Sequence, residues 1–224
     1  MKKILFSLLI LFSLSAGAQT PGGKLYFRTF MWTSQYGTSL DLTWLFLGSN
    51  GTIVRNPKHG VNPINYKLEL ADNSKNVGKY TIAGDKLNIN WQNGKKDTWR
   101  LDSKNGEFTA IDGGIVSRPK ALPANYKLSG QYAAGAFLPS VSSVSTFVFN
   151  NNGTFTLGKS GAVHTADVSG QSTSSSRGTY KITGNTLTLN FEDGKKEDSV
   201  IWVWEQGKGK RYLVINNRSF PQEG

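Results

Sequence analysis

GKYTIAGDKLNINWQNGKK, residues 78–96, and GTYKITGNTLTLNFEDGKK, residues 178–196, are two versions of one segment. Nine positions are identical at a constant offset of 100: Gly78, Tyr80, Ile82, Gly84, Leu87, Asn90, Gly94, Lys95 and Lys96 in the first copy. A fixed-period repeat marks one supersecondary unit built twice. Inside it, Leu87, Ile89 and Trp91 alternate with Lys86, Asn88 and Asn90, and Leu187, Leu189 and Phe191 alternate with Thr186, Thr188 and Asn190. Period-two alternation puts one set on a core face and the other on a wet face of a strand. The same parity makes Tyr80 and Ile82, with Tyr180 and Ile182, the inward partners on the neighbouring strand.

Working outward, turn chemistry bounds each strand. Gly84-Asp85 and Gly184-Asn185 place glycine first, as a type II′ turn requires, whereas Asn50-Gly51, Asn93-Gly94, Asn152-Gly153 and Asp193-Gly194 read as type I′ turns. Each copy therefore contains a three-stranded meander. Leu25–Trp32, Asp41–Leu47 and Glu107–Ile111 extend the first copy, and Tyr126–Tyr132, Val144–Phe149 and Arg211–Ile215 extend the second. That is six or seven strands per copy and about thirteen in all, more than the eight or so of a filled barrel. Helical periodicity is hard to find beyond the amino-terminal segment. The expected fold class is all-β: two tandem antiparallel β-meander units forming small barrels or sandwiches, with one shared barrel as the alternative. The expected units are 19–122 and 123–224, joined by the stretch from Ser117 to Asn125 with its two prolines, Pro119 and Pro123.

The order of hairpin, variable loop, G-x-Y-x-I-x-G-x-x-L-x-[IL]-x-[WF]-x-x-G meander and final strand resembles exported bacterial proteins with lipocalin-like β-domains. The resemblance covers nearly all of residues 19–224 and implies a lipocalin-like barrel framework. It carries over no catalytic residue. A Gly-x-Trp in the first strand is absent, so small-ligand transport does not follow from it.

Residues 1–18 read as a signal peptide: basic Met1-Lys2-Lys3, an apolar run from Ile4 to Leu14, and small residues ending at Ala18. The run is too short to span a bilayer, and no later segment is apolar enough to do so. The expected localisation is therefore exported, periplasmic or extracellular, and soluble. With no cysteine in the chain there is no disulfide, no thiolate metal site and no lipid-anchoring thiol, so the protein is not expected to be a lipoprotein. The formal charge of +11 includes Lys2 and Lys3, leaving 11 − 2 = +9 on the mature chain. That balance suits either acidic polymers or a solvated basic surface. No basic run interleaved with aromatics points to nucleic acid.

Since the repeated framework explains folding, recognition is sought where the copies diverge. Arg55–Asn76, with His59 and Tyr66, and Gly158–Ser176, with His164, read as variable loops. Val200-Ile201-Trp202-Val203-Trp204 replaces Arg100-Leu101-Asp102-Ser103-Lys104 and is apolar on both faces. Its second face is either covered by the other copy or forms an aromatic platform for a sugar or peptide. Trp32, Trp44, Trp91 and Trp99 are assigned to the core. The candidate ligand-binding set is thus Trp202, Trp204, Tyr66, His59 and His164, with no catalytic residue, no metal ligand and no cofactor. GTFTLGKS at 153–160 matches a phosphate-loop pattern, but the helix such a loop must open is missing. The leading expectation is a non-enzymatic, exported binding or interaction protein of the bacterial envelope, its partner a glycan, a lipid or an envelope protein. The alternatives are a polysaccharide hydrolase using Asp97 and Glu197 from the two copies, and a structural component of a surface assembly.

Overall fold

The computed structural model describes residues 22–35, 37–138, 141–164, 169–207 and 210–223, so the expected signal peptide lies outside the described residues. Eight antiparallel strands close a barrel: β1 (Gly23–Ser34), β2 (Gly37–Gly48), β3 (Thr52–Arg55), β4 (Val77–Ala83), β5 (Lys86–Trp91), β6 (Lys96–Lys104), β7 (Glu107–Ile111) and β8 (Gly114–Ser117). Closure comes from β8 returning to β1, with Phe27 opposite Ser117 and Thr29 opposite Ile115. Eight more strands form a second sheet in sequential order: β9 (Gly130–Leu138), β10 (Val141–Phe149), β11 (Thr154–His164), β12 (Ser169–Thr183), β13 (Thr186–Phe191), β14 (Lys196–Gln206), β15 (Lys210–Ile215) and β16 (Arg218–Pro221). Its ends meet at a bridge between Tyr132 and Gln222, beside a 2.9 Å bond from Glu223 N–H to Gln131 O. The all-β architecture of two meander units, each an eight-stranded barrel-like sheet, is as expected, and a single shared barrel is not what forms.

Several expectations are corrected. The strands number sixteen where about thirteen were expected, and among those missed are β8 and β16, each four residues long and too short for alternation to register. Arg55–Asn76 is not wholly loop, because Tyr66–Asn73 forms a helix, α1, whose first turn is capped by Asn65 Oδ1 accepting from Leu68 N–H at 3.1 Å. In the second unit, Gly158–Ser176 is mostly strand: β11 and β12 pair from Leu157 opposite Ser176 to His164 opposite Ser169. The backbone of a serine-rich run fills a ladder as well as a loop.

The turns differ in type as well. Asn105-Gly106 and Asp112-Gly113 carry positive φ at both positions, as type I′ demands, but at Asn50-Gly51, Asn93-Gly94, Asn152-Gly153 and Asp193-Gly194 only the glycine does. Each of these four Asx side chains instead accepts the N–H two residues on, in Thr52, Lys95, Thr154 and Lys195, at 2.9–3.1 Å. They are Asx turns followed by a left-handed glycine, which explains both letters of the dipeptide. Gly84 and Gly184 have positive φ in two-residue loops, in keeping with type II′. Gly78 and Gly178 are not turn residues. They sit in β4 and β12 opposite Trp91 and Phe191, where a Cβ on Gly78 would lie 2.6 Å from Asn90 O and one on Gly178 would overlap Asn190 O.

Both interiors are filled with side chains. The first barrel buries Tyr26, Leu45, Ile53, Leu87, Ile89 and Trp91, and the second buries Tyr132, Phe147, Phe149, Phe155, Tyr180 and Leu187. The inward parity of Leu87, Ile89 and Trp91 holds, as does that of Tyr180 and Ile182, but Ile82 is 47% exposed near the β4–β5 turn. Trp44 and Trp91 are buried and Trp99 is partly so, whereas Trp32, placed in the core by the sequence pattern, is 47% exposed because β1 runs past the last β8 pairing at Thr29.

A third apolar cluster seals the seam between the units. Leu25 and Phe27 of β1, Trp44 and Phe46 of β2 and Val54 of β3 point outward from the first barrel, and they pack with Val200 of β14 and Val214 of β15. Alternate residues on the same strands, Tyr26, Leu45, Ile53, Ile201 and Leu213, point into their own barrels. These strands are therefore apolar on both faces. Fully burying each such side chain contributes about 1.5–3 kcal/mol. Polar bonds cross the seam as well: Val61 N–H and Asn62 N–H both donate to Thr186 Oγ1 at 2.8 Å, Asn185 N–H donates to Asn62 Oδ1 at 2.8 Å, and Trp44 Nε1–H donates to Asn216 O.

Candidate ligand cleft between the barrels

Strand parity decides what Val200–Trp204 does. Ile201 and Val203 face the core of the second unit, while Val200 and Trp202 face the first barrel across the seam. Trp202 is half-buried, its ring 5.4 Å from that of Phe27, which in turn lies 4.9 Å from Trp44. Trp204 follows on the same face, 6.2 Å from Trp202 at an interplanar angle of 30°, and is 42% exposed. Its cross-strand partner Tyr212 continues the row at 5.3 Å. A line of aromatic rings thus runs from the sealed seam into solvent, so the two readings of this strand each hold for part of it.

The exposed end of the row forms one wall of a cleft of about 390 Å³. The opposite wall is the outer face of β1 and β2, with Phe27, Thr29, Leu40 and Leu42, and Ser117 and Ser219 stand at its edges. Leu40 is 60% exposed and pairs across the hairpin with Met31, 69% exposed, which extends the apolar surface beyond the cleft. No lining residue is charged. Thr29, Ser117 and Ser219 supply hydroxyls, of which Thr29 Oγ1–H reaches Ile115 O at a long 3.4 Å. The arrangement suits an uncharged ligand with a flat apolar face and a hydroxylated rim.

Of the candidate set, Trp202 and Trp204 are brought together and the others lie elsewhere. Tyr66, on α1, meets Phe46 edge-on at 6.4 Å, and its buried hydroxyl has no hydrogen-bond partner among the described residues. Burial, with the Tyr80 hydroxyl as a lesser contributor, pushes the Tyr66 phenol up to about 12. His59 Nε2 lies 3.0 Å from Asp72 Oδ2, outside hydrogen-bonding geometry, and its backbone N–H donates to Glu69 Oε1 at 2.8 Å. Fully buried Glu69 also accepts from Lys58 N–H at 2.7 Å and from Asn73 Nδ2–H at 3.0 Å, so it organises this loop. The backbone of His164 pairs with Ser169 at the end of β11, and its side chain lies outside the described residues. Phe27, Leu40, Leu42 and Val214 escaped the sequence reading. Leu40 and Leu42 carry a detectable period-two signal, but the strand was expected to begin at Asp41 and begins at Gly37.

The carboxylates considered for hydrolysis are each engaged within their own meander. Asp97 accepts from Trp91 Nε1–H at 2.6 Å and pairs with Lys95 at 3.2 Å, and Glu197 pairs with Lys195 at 2.5 Å. Partial desolvation works to raise the Asp97 carboxyl, but the Trp91 hydrogen bond, then Lys95, with the Arg55 charge, outweigh it and hold the group below the ordinary carboxylate value. Among the described residues no three His, Asp or Glu side chains converge as a metal site, and no helix is long and apolar enough to cross a membrane.

No curated protein and no solved structure matches the chain. The family model of the lipocalin-like domain matches residues 96–205, a window that opens at the start of β6, crosses the linker between the units and ends one residue short of the end of β14. Over that span the chain is similar to lipocalin-like domains, in agreement with its barrel-like framework.

Proposed function

We propose that this chain is an exported, non-enzymatic binding protein of the bacterial envelope, and that its ligand, a neutral glycan, lies in the cleft between the barrels. One observation carries the reading: the row Phe27, Trp202 and Trp204 leaves the sealed seam and ends with an exposed Trp204 in a cleft whose lining is uncharged. A tryptophan ring offers an apolar face to the C–H face of a sugar ring, and the hydroxyls of Thr29, Ser117 and Ser219 are placed to meet its edge. Filled barrel interiors favour a site outside the barrels. The similarity of residues 96–205 to lipocalin-like domains supports binding rather than catalysis. The proposed organisation is removal of residues 1–18, then units 19–122 and 123–224, and amino-terminal sequencing of the released product tests the first step.

The ligand assignment is tested by tryptophan fluorescence titration with neutral oligosaccharides prepared from envelope polysaccharide. A saturable change is expected in the wild-type protein and is lost in Trp204→Ala, whose thermal unfolding, recorded alongside, separates lost binding from the packing lost with Trp202 and Tyr212. Equal binding by Trp204→Ala, or no saturation with any neutral oligosaccharide, overturns it.

A further inference from the structure

A second and larger concavity, about 640 Å³, opens where the linker leaves β8, and it is floored by members of the same seam cluster, Leu25, Phe46 and Val61. Its volume falls in the range of small-molecule sites. Unlike the aromatic cleft it is charged, with Lys24, Arg118 and Lys120 against the single carboxylate of Glu107, a balance of 3 − 1 = +2.

The four charges are not equivalent. Glu107 Oε1 is shared by Arg118 at 2.8 Å and Lys24 at 3.5 Å. One carboxylate oxygen thus holds two of the three cations, and the lining as a whole keeps its positive balance. Lys120 has no ion-pair partner among the described residues. Its backbone is nevertheless anchored, because Asn185, itself 5% exposed, donates from Nδ2 to Lys120 O at 3.2 Å and from its N–H to Asn62 Oδ1 at 2.8 Å. The anchored linker thus carries Lys120, which has no ion pair among the described residues, and Arg118 in the lining of one concavity with an apolar floor. Lysines that guard sheet edges stand on strands, but Lys120 stands on the linker between β8 and β9 and lines a concavity shared by both units.

We propose that this pocket binds a small organic anion, a carboxylate on a compact apolar body. The head group pairs with Lys120 and Arg118, and the body rests on Leu25, Phe46 and Val61, with Phe108 and Pro119 beside it. A low-dielectric floor strengthens the charge pairing relative to open surface. The site is independent of the glycan cleft, with which it shares no lining residue.

Calorimetric titration of the full chain with 1-naphthoate, and with uncharged 1-naphthylmethanol for comparison, tests the inference. Naphthoate is expected to bind one to one, more weakly as salt rises, with the alcohol and Lys120→Ala each about tenfold weaker or worse. Lys120→Ala deletes a side chain that makes no described bond, so its unfolding curve should match wild type and separates lost binding from lost folding. Arg118→Gln should weaken naphthoate in the same direction. Equal binding of acid and alcohol, no saturable binding of the acid, or an unchanged affinity in Lys120→Ala refutes the site. Loss of naphthoate binding in Trp204→Ala also refutes it, by assigning the anion to the other cleft.

Discussion

Replacing Thr186 by valine removes one oxygen while keeping a β-branched side chain of similar shape. In the folded protein that oxygen accepts two backbone N–H groups from across the seam, Val61 and Asn62, each at 2.8 Å, and Thr186 is only 7% exposed. A buried backbone donor left without an acceptor costs about 1–3 kcal/mol. Val61 is buried and bears the full cost, whereas Asn62 is exposed and its N–H regains some water, so the two together come to about 2–4 kcal/mol. For a chain of this size each kcal/mol moves Tm by about 2–4 °C, which puts Thr186→Val roughly 4–16 °C below wild type. Thr186→Ser keeps the acceptor and loses one methyl group, a cost near 1 kcal/mol. Scanning calorimetry is the assay. Because the bonds join the two units, the valine variant is also expected to split the transition, as the seam opens before both units unfold. A Thr186→Val midpoint within about 2 °C of wild type, or a serine variant that loses as much as the valine one, refutes the view that these bonds hold the units together.

The repeated strand glycines make a graded test. Gly178→Ala pushes a methyl group into Asn190 O and is expected to cost about 3 kcal/mol, at the top of the overpacking range, while Gly78→Ala, whose Cβ would stand 2.6 Å from Asn90 O, costs less. Urea midpoints that leave both unchanged, or that reverse the order, count against the cross-strand explanation of this identity. Asp97 supplies a pH test. Its folded pKa lies below the ordinary value of 3.8, so its contribution is fully present above that pH and is lost as pH falls through the folded value. Asp97→Asn should therefore be less stable than wild type at neutral pH and should close much of that gap in strong acid. A difference in urea midpoint that stays constant from neutral to acid pH contradicts this assignment.

Much of the framework was legible because β-structure writes itself locally. Leu87, Ile89 and Trp91 face inward because three successive odd positions are apolar and their neighbours are not, and a two-residue glycine-first loop leaves few alternatives at Gly84-Asp85 and Gly184-Asn185. Errors arose where the local signal was short or ambiguous. An Asx-Gly dipeptide serves a type I′ turn and an Asx turn with a left-handed glycine equally well, and only the φ of the first residue separates them. Tyr66–Asn73 is an eight-residue helix with little amphipathic pattern, held by Asn65 at its start and by Glu69 and Asn73 in its surroundings. Four-residue strands such as β8 and β16 owe their existence to the neighbours that they pair with.

The amino-acid sequence alone determined that the chain is all-β, that it builds one meander unit twice, and that Val200–Trp204 is apolar on both faces. It left open which face meets what. Only the tertiary structure decided that Val200 and Trp202 cover the outer face of the first barrel, that Trp204 emerges from that cover, and that Lys24, Arg118 and Lys120 share one concavity. The physical reason is range. Alternation and turn preference act over a few residues, whereas the seam joins Trp44 to Asn216 and Val61 to Thr186, pairs 172 and 125 positions apart, through burial and hydrogen bonds that no local pattern encodes.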